Sequence, residues 1–114
     1  MVNVFKALGD ENRLRIISIL IEGKVCVCEI ERILALSQSN VSRHLTKLKL
    51  ADLIKSTKKA QWIYYEINND FFEKNEPLLE LLNVLFKNKI IYIEDKIKLK
   101  EYKLKETRDG ICIR

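Results

Sequence analysis

From Asp10 onward apolar residues return every three or four positions, at Leu14, Ile17, Leu20 and Ile21, with Ile16 widening the face. That spacing predicts an α-helix buried on more than one side. Gly9-Asp10 marks the end of one helix and the N-cap of the next, because an Asp side chain can accept from the orphan amides of a first turn. Gly23 stops this helix, and Ile30, Ile33 and Leu34 form the apolar stripe of a second, short one. Leu36-Ser37-Gln38-Ser39-Asn40 is a run of small polar side chains that favours turns and N-caps, so a third helix is predicted to begin there. In it Val41, Leu45 and Leu48 share one face. Ser39, Ser42, Arg43, Thr46 and Lys47 fall on the other, with Asn40 and His44 beside them.

After Asp52 the pattern changes. Residues 53–57 and 61–67 are rich in β-branched and aromatic types and flank a polar tip, Lys58-Lys59-Ala60, which predicts a β-hairpin. Trp62, Tyr64 and Tyr65 are expected to brace it. Asp70 and Glu73 have capping-box spacing, and Pro77 suits the first turn of a long helix. Its stripe, Leu79, Leu82, Phe86, Ile90, Ile93 and Ile97, is too long for so small a core to cover, and a partner helix is the natural cover. Residues 96–105 either continue this helix or fray. The expected organisation is one domain over residues 1–105, mainly α with a β-hairpin wing (α+β), followed by a tail over 106–114.

A chain of 114 residues supports one hydrophobic core. With 47% hydrophobic and 32% charged residues, one Pro and three Gly, it is expected to fold. Neither a membrane-spanning apolar run nor a secretory leader in Met1–Lys6 is visible, so a cytoplasmic location is expected. The three cysteines are then expected as thiols rather than as a disulfide framework. The net charge of +5 is concentrated: between Ser37 and Asn68 six basic residues stand against two acidic ones, and that segment carries +4 of the total. Such a patch fits a polyanionic partner.

Two helices joined by a short polar turn, the second with an apolar face and a donor-rich face, make a helix-turn-helix whose second helix can enter a DNA major groove. The basic hairpin after it makes a wing. Gln38, Ser39, Ser42 and Arg43 can reach base edges, Arg43 bidentately to guanine. The helix N-terminus, Lys47, Lys58 and Lys59 can hold phosphates, and Asn40, His44 and Gln61 complete the expected contact set.

Cys26-Val27-Cys28 falls where the second helix begins. Two residues along an ideal helix rotate the chain by about 200°, which would point the sulfurs apart, whereas in an extended segment they face the same way. A soft ion held by both sulfurs is therefore expected to need that first turn unwound. The alternative is that two small, fairly apolar side chains simply pack at a helix start.

Taken in order, residues 7–16 (ALGDENRLRI), 26–30 (CVCEI), 37–45 (SQSNVSRHL) and 61–65 (QWIYY) resemble the ArsR/SmtB family of metal-responsive repressors, and within it the arsenical-resistance repressors. The resemblance spans about the first two-thirds of the chain. It implies a homodimer formed through the first and last helices, an inverted-repeat operator, and As(III) or Sb(III) as inducer on Cys26 and Cys28, with no cofactor needed for DNA binding. It also implies that Ser39, Ser42, Arg43 and His44 lie in the recognition helix. Two departures stand out: Glu31 occupies the position of a third cysteine found in some relatives, and Ala60 replaces the usual wing-tip glycine. A third sulfur could come from Cys112 or from a cellular thiol, or two sulfurs could suffice. Cadmium and lead sensors of the family use additional N-terminal cysteines, absent from Met1–Phe5, and the His ligands of its zinc sensors have no counterpart after Asn69.

Two other readings stay open: a thiol-redox or sulfide-responsive repressor of the same fold, and a dimeric interaction module that does not bind DNA. With one His and no phosphate-cradling glycine loop, no nucleophile and base can be assembled, so an enzyme is not expected.

Overall fold

The computed structural model describes residues 1–109, and its first helices follow from two local stop signals. Helix α1 (Val2–Leu8) ends at Gly9, and the Asp10 side chain accepts the Arg13 amide at 3.1 Å to cap α2 (Glu11–Ile21). Gly23, at φ +145°, turns the chain out of α2 in a conformation open essentially to glycine alone. A two-residue strand, β1 (Val25–Cys26), then leads into α3 (Val27–Leu34). Ala35, left-handed at φ 55°, ends α3, and Ser37 caps α4 (Gln38–Leu50) by accepting the Asn40 amide. The helix-turn-helix is thus α3, a three-residue turn and α4.

Helix α2 is central: Ile16, Ile17, Ile19 and Leu20 are each at most 1% exposed. Each such side chain contributes roughly 1.5–3 kcal/mol of burial free energy, enough to make α2 the anchor for its neighbours. Against it pack Ile30 and Ile33 of α3 and Val41, Leu45 and Leu48 of α4, all buried as the helical spacing requires.

The wing is β2 (Ile54–Lys59) and β3 (Trp62–Ile67), antiparallel, joined by Ala60-Gln61. Lys58 and Lys59 therefore belong to the ladder, opposite Ile63 and Trp62, and not to the connection as expected. Ala60 makes the turn at φ 54°, and the two-residue connection is one residue shorter than the polar tip suggested. The sheet order is β1-β3-β2, so β1, invisible to periodicity because it is two residues long, pairs with the inner edge of the wing.

Beyond the wing come α5 (Asn69–Lys74), α6 (Glu76–Asn88) and α7 (Ile90–Asp109). Asp70 does not cap: Asn68 is the N-cap residue of α5, and Asp70 pairs with Lys55 at 3.5 Å. Pro77 lies in the first turn of α6. The single long stripe is divided, because Lys89 is extended at φ −118°, ψ 134° and redirects the chain. Leu82 and Phe86 go into the core, whereas Ile90, Ile93 and Ile97 face outward and α7 buries Tyr92, Asp95 and Leu99 instead. Helix α7 packs back on α2 and α3. Cys112 lies outside the described residues. No helix among them is long and apolar enough to cross a membrane.

Candidate DNA-binding surface and cysteine site

The apolar face of α4 is locked into the core, and this aims the opposite face outward. Gln38, Ser39, Ser42, Arg43 and Lys47 are exposed there, with Asn40 and His44 half-buried at its margin. Arg43 donates through Nη2 to Asn40 Oδ1, and Thr46 Oγ1 donates to the Ser42 carbonyl at 2.9 Å. Lys58, Lys59 and Gln61 are exposed at the far end of the wing. Lys49 Nζ donates to Ser56 Oγ at 2.7 Å and ties the end of α4 to β2, which fixes the wing relative to the helix. Of the expected contact residues, Gln38 of α4 and Gln61 of the wing line one cleft, whereas Lys59 lines another with Lys24, Tyr64 and Lys103.

His44 is also engaged inward. Its Nδ1 lies 3.3 Å from Arg13 Nη1, and since a guanidinium can only donate, Nδ1 accepts and the proton is on Nε2. Arg13 Nε donates to the Ala7 carbonyl at 2.6 Å, so the α1–α2 corner is stitched to α4 through this side chain. Burial, with the nearby charges of Arg13, Arg43 and Lys47, lowers the His44 pKa from its ordinary value against the pull of Asp10.

The cysteine geometry departs from expectation. Cys26 is the last residue of β1 and the N-cap of α3, extended at φ −75°, ψ 149°, while Cys28 is already in the first turn. The two Sγ atoms are 2.7 Å apart, with Cys26 2% and Cys28 1% exposed, and the helix is wound. The 200° rule applies only when both residues are helical, so no unwinding is needed to bring the sulfurs together. Two sulfurs on a tetrahedral ion with bonds of about 2.3 Å stand roughly 3.8 Å apart, and opening the pair by about 1 Å is within reach of side-chain rotation. Among the described residues no group of three or more His, Cys, Asp or Glu is placed to hold a metal ion. Cys26 and Val27 line a cleft of about 460 Å³ together with Gln38 of α4 and Gln61, Trp62 and Ile63 of the wing.

Residues 10–56 match the model of the bacterial regulatory protein arsR family. The arsenical resistance operon repressor of Bacillus subtilis is 42% identical over 86 residues, covering 75% of this chain and 80% of that protein. Arsenic resistance transcriptional regulator ArsR2 of Pseudomonas putida is 31% identical over 111 residues, 96% of this chain and 95% of that protein. The chain belongs to the ArsR family. Among solved structures, reduced HlyU from Vibrio cholerae N16961 superposes with a TM-score of 0.64 at 33% identity, covering 74% of this chain and 85% of that one. The homodimeric winged helix-turn-helix DNA-binding domain Mb0332 from Mycobacterium bovis gives 0.63 at 24% identity, over 72% of this chain and 76% of that one, a likeness of fold. This ArsR-family chain is a winged helix-turn-helix transcriptional regulator and not an enzyme.

Four polar residues of this ArsR-family chain, absent from the expected site, carry structural roles. Glu29, 2% exposed, accepts the Cys26 amide through Oε1 at 3.0 Å and completes a capping box in which the N-cap side chain is a sulfur. Lys103 of α7 lies 3.6 Å from that Oε1 and donates to the Lys24 carbonyl at 2.7 Å. Arg15 of α2 grips Asp95 of α7 with two bonds of 2.9 Å, and its Nη2 reaches the Ile33 carbonyl at 3.5 Å. Of these features only the Cys-x-x-Glu capping spacing is a local signal that could have been found; the partners 74 to 80 positions away leave none.

Proposed function

We propose that this protein is a homodimeric repressor that holds an inverted-repeat operator in the cytoplasm and leaves it when As(III) or Sb(III) is bound by Cys26 and Cys28. The observation that carries this reading is the convergence of the two sulfurs on a residue shared by α3 and the wing sheet. The step requires both cysteines in the thiol form: each then condenses with one As–OH group of arsenous acid, forming an As–S bond and releasing one water, with no change of oxidation state. The relatives named for arsenic resistance support the choice of inducer. In the operator complex the exposed face of α4 enters the major groove, Arg43 and Gln38 address base edges, and Lys47, Lys58 and Lys59 address phosphates.

Cys26 pairs with Tyr64 of β3, and Gln38 and Gln61 line the same cleft. An ion between the sulfurs therefore acts on α3 and the wing together, which gives the differential interaction that linkage demands. Dimer formation is supported by Val2 and Phe5 on α1, Leu81 and Val84 on α6, and Ile90 and Ile97 on α7, all more than half exposed.

The test is operator release by sodium arsenite under anaerobic conditions in wild type, Cys26→Ser, Cys28→Ser and Cys112→Ser, with sedimentation of the free protein. Loss of release in the first two variants, retention in the third and a dimer in solution are expected. Release unchanged in Cys26→Ser and Cys28→Ser overturns the site, and a monomeric complex overturns the assembly. The same sulfur proximity favours a second reading, in which peroxide oxidises the two thiols to a disulfide and is itself reduced to water. Release by peroxide and never by arsenite selects it.

A further inference from the structure

Helix α7 holds the sensing helix α3 at both of its ends. At the N-terminal end, Lys103 bridges the Lys24 carbonyl, just before β1, and the Glu29 carboxylate, just after Cys28. At the C-terminal end, Asp95 fixes Arg15, whose guanidinium reaches the Ile33 carbonyl. The second end is fully packed, since Asp95 is 0% exposed, whereas the Lys103 side chain is 43% exposed and can leave without opening the core.

We propose that the Glu29–Lys103 contact couples occupancy of the Cys26–Cys28 pair to the docking of α7, making the C-terminal helix a regulatory element of the switch. This rests on the reading that the two cysteines bind a thiophile. In the capping box the Cys26 sulfur faces the Glu29 amide, while the Cys26 amide is held by Glu29 Oε1. An ion claims the sulfur lone pair that faces the Glu29 amide, so the sulfur half of the capping box is lost and the Glu29 end of the box can shift, carboxylate included. Glu29 is poised for that: its Oε2 is buried with no hydrogen-bond partner among the described residues, an arrangement that is costly to keep and held by the ammonium beside it. Displacing the carboxylate removes one of the contacts of Lys103, which also donates to the Lys24 carbonyl, and loosens α7 over residues 98–104. By reciprocity, loosening α7 first makes the ion easier to bind.

The experiment uses the full chain, wild type and Lys103→Met and Lys103→Arg variants. Three quantities are measured: operator affinity without inducer, arsenite affinity of the free protein, and amide hydrogen exchange across residues 98–104 with and without arsenite. Wild type should exchange several-fold faster in α7 once arsenite is bound. Lys103→Met should bind the operator no more tightly than wild type does, bind arsenite about fivefold or more tightly, and show α7 exchange that arsenite no longer changes. Lys103→Arg, which keeps the charge, should restore wild-type behaviour, a rescue that loss of packing alone would not produce. Arsenite binding to wild type with α7 exchange unchanged, or equal or weaker binding by Lys103→Met, overturns the coupling. Failure of wild type to bind arsenite overturns the inducer reading itself, and the coupling with it.

Discussion

Cys26 stands opposite Tyr64 across the β1–β3 pair, so the first sulfur of the Cys-x-Cys motif is carried on the same three-stranded sheet as the wing. A residue that is at once a strand partner of the wing and the N-cap of α3 cannot shift without moving one of them. This replaces unwinding as the physical link between the sulfurs and the DNA-reading elements.

The wing lysines are expected to act on phosphates and not on sequence. Lys58→Ala with Lys59→Ala should weaken operator and random duplex alike and reduce the slope of log affinity against log salt by about 0.9 for each phosphate no longer neutralised. Binding measured between low and moderate salt checks this; an unchanged slope means the wing does not touch the backbone.

Arg15→Met should be among the most destabilising single changes in the chain. It leaves the fully buried Asp95 carboxylate without the two bonds of 2.9 Å that hold it, a loss of roughly 3–5 kcal/mol. Pairing it with Asp95→Leu should recover much of that loss, because no buried charge then remains. Urea unfolding of wild type and both variants measures the two effects.

His44 makes the fold sensitive to mild acid. Its folded-state pKa is lowered from the ordinary 6.5, first by burial and then by the nearby positive charges. The unfolded state therefore takes up its proton first as pH falls. The stability this contributes is fully present above about pH 6.5 and is lost as pH falls toward the lower folded value. Asp10 does not interfere in that window: burial alone would raise its pKa, but the Arg13 amide and charge bring it below the usual 3.8. Melting temperature between pH 7.5 and 5.5 should decline in wild type and decline less in His44→Gln.

Ala60→Gly should stabilise the hairpin. Ala60 holds φ 54°, a left-handed conformation that costs an L-residue roughly 1–2 kcal/mol and a glycine almost none. The added freedom of glycine in the unfolded chain offsets part of this, so a net gain of about 0.5–1 kcal/mol is expected in thermal unfolding. A loss would mean that the Ala60 methyl group makes contacts worth more than its strain.

The amino-acid order determined what is local. Asp10 as a cap, the Leu36–Asn40 run as a turn and helix start, Gly23 as a stop, the 3.6-residue stripes of α2, α3 and α4, and the alternation to β-branched and aromatic residues in the wing were all legible, because each depends on neighbours within a few positions. The donor-rich face of α4 was legible for the same reason, and so were Cys26 and Cys28 as a pair. Tertiary structure decided what depends on distant partners. Pairing with Tyr64 holds Cys26 extended and brings its sulfur onto Cys28, although helical periodicity alone would separate them. Docking of α7 on α2 and α3 turned Ile93 and Ile97 outward and Asp95 inward, because burying Asp95 against Arg15 sets the rotation of the helix, and a hydrophobic stripe read along one chain carries no record of that ion pair.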